Sequence, residues 1–91
     1  VVSMSIRVLV VDDAPFIREV VAQALTRYGF DVVGEAVDGQ DAIEKTKKLL
    51  PDLILMDVVM PIKSGLEAAK EILKEFPSTK IVALSTVDQQ G

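Results

Sequence analysis

Carboxylates, hydroxyls and lysines are the only groups this chain offers for chemistry. It contains no cysteine and no histidine, which removes thiolate zinc sites, cysteine nucleophiles and a histidine general base together. Asp12 and Asp13 follow the apolar run 6–11, Asp57 follows Leu53–Met56, and Ser85 with Thr86 follows the run 80–84. Each sits where a strand would end. In a parallel sheet all strand carboxyl ends point the same way, so these residues converge if their strands are neighbours.

Three carboxylates brought together repel, and the usual relief is protonation or a divalent cation. Mg2+ suits hard oxygen ligands and keeps several waters, and Mn2+ fits the same donors. An aspartate in such a pocket can also act as a nucleophile toward phosphorus, and a nearby hydroxyl such as Ser85 can donate to the phosphoryl oxygens. The plainer readings are that Asp12 and Asp13 cap a helix, that Ser85 is a satisfied strand-end hydroxyl, and that Lys63 is a solvated loop cation.

The elements that must position these groups are read from hydrophobic period. Ile6–Val11 is β-branched and too short for a helix, so it is a strand. Pro15 opens a helix to about Tyr28, with Phe16, Val20, Val21, Ala24, Leu25 and Tyr28 on one face, and Gly29 stops it. Asp31–Ala36 is a more polar strand with an internal glycine, which suits an edge. Asp38-Gly39 turns the chain into a helix traced by Ala42, Ile43, Thr46, Leu49 and Leu50, ended by Pro51. Leu53–Asp57 has no period-two alternation and reads as a central strand covered on both faces. Gly65 begins a third helix with Leu66, Ala69, Ile72, Leu73 and Phe76 on one face, closed by Pro77, and Lys80–Ser85 is a fourth strand. Strict β-α-β alternation with short connections predicts an open parallel α/β sheet.

Hydrophobic residues make up 49% of the 91 and charged residues 26%, a globular composition for one small domain. A net charge of −4 argues against a general nucleic-acid binder. No apolar run reaches the roughly 18 residues of a membrane span, and no signal peptide is evident, so a soluble, cytoplasmic chain is expected. The expected organisation is an extension over 1–5, a partial domain over 6–86 and a tail over 87–91.

Taken with these motifs, the chain resembles the receiver domain of two-component response regulators, of the chemotaxis type. The resemblance rests on V-L-V-V-D12-D13-A-P-F-I-R, on D57-V-V-M60-P61-I-K-S-G65 and on K-I-V-A-L-S85-T86, and it spans about Ile6 to Thr86. It implies a flavodoxin-like sheet in strand order 2-1-3-4 of the usual 2-1-3-4-5. It further implies that Asp57 is a phosphoacceptor served by a histidine kinase. By the same likeness Asp13, Asp57 and the Val59 carbonyl ligate Mg2+, with Asp12 holding the ion through water. Ser85 and Thr86 become the phosphoryl-contact and switch positions, and Met60, Pro61 and Gly65 shape the loop. The expected role is a switch module and not an enzyme.

Two departures from the family pattern are expected to matter. Receivers continue through a further helix, a fifth strand bearing a lysine, and a last helix, whereas this sequence stops at Gly91; Thr86 stands where a smaller residue is usual. Without a fifth strand, strand four becomes an apolar edge, and part of one sheet face is uncovered, which predicts a homo-oligomer through that edge or by exchange of elements. The alternatives are a truncated structural fragment or chimera building block with a vestigial pocket, and an aspartate-nucleophile phosphatase, which would want Asp-x-Asp on one strand end.

Overall fold

The computed structural model describes residues 5–57 and 64–84. Among the described residues seven elements alternate in chain order: β1 Arg7–Val11, α1 Pro15–Arg27, β2 Asp31–Ala36, α2 Gly39–Leu49, β3 Leu53–Asp57, α3 Gly65–Glu75 and β4 Lys80–Leu84. All strand pairs are parallel and the sheet order is β2-β1-β3-β4, as expected of the flavodoxin-like arrangement. The boundaries fall within about one residue of those read from period. Ser85, expected as the last residue of β4, lies outside the described residues, as do the tail 87–91 and most of the N-terminal extension.

β1 is the centre of the sheet. Val8 to Val11 are buried on both sides, as a strand with helices on both faces demands. Leu9 and Val11 point into one core, where Ile54 and Met56 of β3, Ala42 and Ile43 of α2, and Ala68 and Ile72 of α3 close around them. This is the α2/α3 face, and it carries most of the buried apolar surface. At Gly34 of β2 a Cβ would lie 2.6 Å from Leu49 Cδ1, so the glycine leaves room for α2 to settle on the sheet.

β3 departs from the expectation of two covered faces. Ile54 and Met56 are buried, but Leu53, Leu55 and Asp57 are only half-buried. Their face is on the α1 side of the sheet, but α1 packs against β1 and β2, and no residue of α1 is buried. Phe16 and Tyr28, expected on the helix's apolar face, are 73% and 83% exposed. Apolar periodicity showed where α1 could bury surface, and the described residues cover only part of it.

The stripe on α3 is also rotated from the expected one. Gly65, Ala68 and Ile72 face the core, while Leu66 and Leu73 are exposed. Small residues win because they let the helix axis approach the sheet and α2 closely. In α2, Leu50 is not part of the helical face: it is the C-cap, in left-handed backbone at φ 50°, and exposed.

The amino ends of three strands are laced through one residue. Asp52 accepts the Arg7 backbone N–H on Oδ2 at 2.9 Å and donates its own N–H to the Arg7 carbonyl at 2.9 Å. Its carbonyl accepts from Lys80 N at 3.1 Å, and the Arg7 guanidinium donates to the Leu50 carbonyl at 2.8 Å.

Candidate functional site

Parallel pairing brings the strand ends together in register. Val11 of β1 pairs with Met56 of β3, so Asp12 and Asp57 each lie one residue beyond a paired position, and Asp57 pairs with Leu84 of β4. Carboxylate oxygens of Asp12, Asp13 and Asp57 all lie within 4.8 Å of one another. The convergence expected from the sequence is therefore present for all three acids. Asp12 is buried, at 8% exposure, Asp57 is half-buried and Asp13 is exposed, so the group opens to solvent on Asp13's side.

The β1–α1 turn is held mainly through Asp12. Its N–H donates to the Ala36 carbonyl at 3.1 Å, its Oδ1 accepts the Ala14 N–H at 2.9 Å, and its carbonyl accepts from the Arg18 guanidinium at 2.8 Å. The plain capping reading does not hold, since neither Asp12 nor Asp13 is the cap of α1. The N-cap of α1 is Ala14, which makes no side-chain cap, and Asp12 holds the turn before the helix instead of the helix's own orphan donors.

Gly65, expected to shape the loop after Asp57, is the first residue of α3 and is buried. Val59, Met60, Pro61, Lys63, Ser85 and Thr86 lie outside the described residues. Ser64 was missed as a start signal although Ser64-x-x-Glu67 spells a capping box: Ser64 Oγ accepts from Glu67 N at 3.2 Å and Glu67 Oε1 accepts from Ser64 N at 3.3 Å. Arg18 was also missed. Its Nε donates to Glu35 Oε1 at 2.9 Å, tying α1 to β2 beside the acidic group.

The donor chemistry fits a hard divalent cation. All three groups are carboxylates, nitrogen and sulfur ligands are absent from the sequence, and one side is open to water, which matches Mg2+ or Mn2+ and not zinc.

Comparison with known proteins gives the same picture. The model of the response regulator receiver domain matches residues 8–91. Chemotaxis protein CheY from Thermotoga maritima is 46% identical over 88 residues, spanning 97% of this chain and 73% of that protein. A protein-glutamate methylesterase/protein-glutamine glutaminase from Photobacterium profundum is 43% identical over 89 residues, 97% of this chain but 22% of that protein. Among solved structures, the response regulator domain of T. maritima CheB superposes with TM-score 0.86 at 43% identity, over 97% of this chain and 66% of that one. The response regulator protein TrrA from T. maritima, solved in complex with Mg(2+)-BeF, gives 0.86 at 39% identity, over 93% and 72%. Sequence, strand order and the acidic strand ends agree, and the chain belongs to the response regulator receiver domain family.

Proposed function

We propose that this chain accepts a phosphoryl group on Asp57 from a histidine kinase, with a divalent metal held by Asp12, Asp13, Asp57 and the Val59 carbonyl. The observation that carries the reading is the meeting of three carboxylates at the ends of β1 and β3. An Asp57 oxygen forms the new bond to phosphorus as the bond from phosphorus to the donor imidazole breaks. A bound Mg2+ would supply positive charge that offsets the crowded carboxylates and the phosphoryl oxygens. The chain's own part is to hold Asp57 at the strand end and to fix Asp12 through the turn. Ser85 and Thr86 are assigned contact with the phosphoryl oxygens, on the strength of the sequence motif. The role is that of a switch, not of a turnover enzyme, in the cytoplasm and without nucleic acid or membrane partners; the net charge of −4 supports the last point.

The test is labelling by acetyl phosphate in Mg2+, compared with Asp57→Asn. Label on wild type and none on the variant supports the reading. Equal labelling of both removes Asp57 as acceptor, and steady ester turnover would indicate a phosphatase.

A second reading is favoured by one observation. Among the described residues β4 pairs only with β3, and its Val82 and Leu84 are 46% and 39% exposed. These sit on the same face as half-buried Leu53 and Leu55. Self-association of two copies through this edge would bury part of that surface. Sedimentation equilibrium decides: a monomer at high concentration removes it.

A further inference from the structure

Arg18 is placed against its own electrostatic preference. It is the fourth residue of α1, close to the positive end of the helix dipole, and the first turn holds no acidic side chain to offset it. A long cation so placed would ordinarily extend into water. Instead its side chain is only 16% exposed and both arms of its fork are in use. Nε meets Glu35 Oε1 on β2 at 2.9 Å, and Nη1 meets the Asp12 carbonyl at 2.8 Å. The Arg18 backbone N–H also donates to the Ala14 carbonyl at 3.0 Å. One residue thus grips the turn at both its ends.

We propose that Arg18, held by Glu35, is a positioning residue for the divalent-metal site, fixing the turn that presents Asp12 and Asp13 to Asp57. This rests on the metal-binding reading above. Without the guanidinium, the Asp12 carbonyl loses a charge-assisted bond, and the peptide joining Asp12 to Asp13 gains rotational freedom. Asp13, exposed on the open side, would feel this most. The donor geometry explains why arginine is suited and lysine is not: two acceptors, one in the β1–α1 turn and one on β2, need two donors at a fixed angle, which a guanidinium has and an ammonium has only by flexing. Glu35 has a second role by position. It occupies the Nε side of the cation, where its opposite charge partly offsets the guanidinium's.

The experiment is calorimetric titration of Mg2+ into the full 91-residue chain, wild type against Arg18→Met, Arg18→Lys and Glu35→Gln, each preceded by a thermal melt in EDTA. The expected result is a loss of magnesium affinity of about tenfold in Arg18→Met, the low end for groups that orient metal ligands. Arg18→Lys and Glu35→Gln should fall between that variant and wild type. A merely structural arginine would lower the EDTA melting temperature and leave the affinity of the folded protein within twofold of wild type, which overturns the inference. If Arg18→Met does not fold, an Arg18→Lys affinity equal to wild type overturns it as well. Wild type that takes up no Mg2+ overturns the metal reading itself, and this inference with it.

Discussion

The Ala14 backbone N–H donates to Oδ1 of Asp12 at 2.9 Å, so one acid of the metal-type cluster is also the side chain that folds the turn leading into α1. Asp12 therefore has two separable roles. Asp12→Asn keeps an acceptor for Ala14 and should preserve stability in EDTA. Asp12→Ala leaves that partly buried N–H without its partner and should cost about 1–3 kcal/mol. Both should weaken Mg2+ binding, and melts with and without the ion distinguish the roles.

Asp13 behaves differently because it is exposed. Removing its charge relieves repulsion without leaving an orphan, so Asp13→Asn should hold or raise metal-free stability by about 0.2–1 kcal/mol, the size of an exposed charge pair. The stabilisation by Mg2+ should shrink in the same variant. Denaturant melts in EDTA and in Mg2+ read both effects.

Ser64→Ala should cost about 1 kcal/mol, since it removes the Oγ that accepts the Glu67 backbone N–H, while the reciprocal bond from the residue 64 N–H to the Glu67 carboxylate survives. The loss should appear in the urea midpoint with little change in slope.

Ile72 is almost fully buried between α3 and the sheet. Ile72→Ala should cost about 2–5 kcal/mol, a large fraction of a total stability of order 5–15 kcal/mol, and so lower the melting temperature markedly. Circular dichroism melts would show it. Leu73→Ala, one residue on but exposed, should cost far less.

Val82→Lys places a charge on the exposed face of the β4 edge. If copies pair there, the weight-average mass by sedimentation should fall toward the monomer, with the melting temperature little changed.

Strands and acids were legible because both depend on short-range pattern. A β-branched run ending in Asp12-Asp13, and another ending in Asp57, mark strand ends without any knowledge of neighbours. Helix faces were less legible. Leu66 and Leu73 outweigh Gly65 and Ala68 in hydropathy, yet close packing selected the small pair. On α1 the apolar stripe was legible as a pattern, but a pattern does not fix burial, which depends on what lies opposite. Arg18 and Glu35 are seventeen residues apart on different elements, and nothing local joins them. Ser64 and Glu67 did carry a local signal.

The lacing at Asp52 has a reach beyond the strand ends it joins. A parallel strand that slips by one residue turns every side chain to the opposite face, which would carry Asp57 from the α1 side of the sheet to the α2 side. Arg7, Asp52 and Lys80 set the starting line from which β1, β3 and β4 are measured out. Asp57 lies five residues further on, about 16 Å at ordinary strand rise. The alignment that lets three acids face one another is thus gauged at the far end of the molecule, by a residue that shares their chemistry and takes no part in their work.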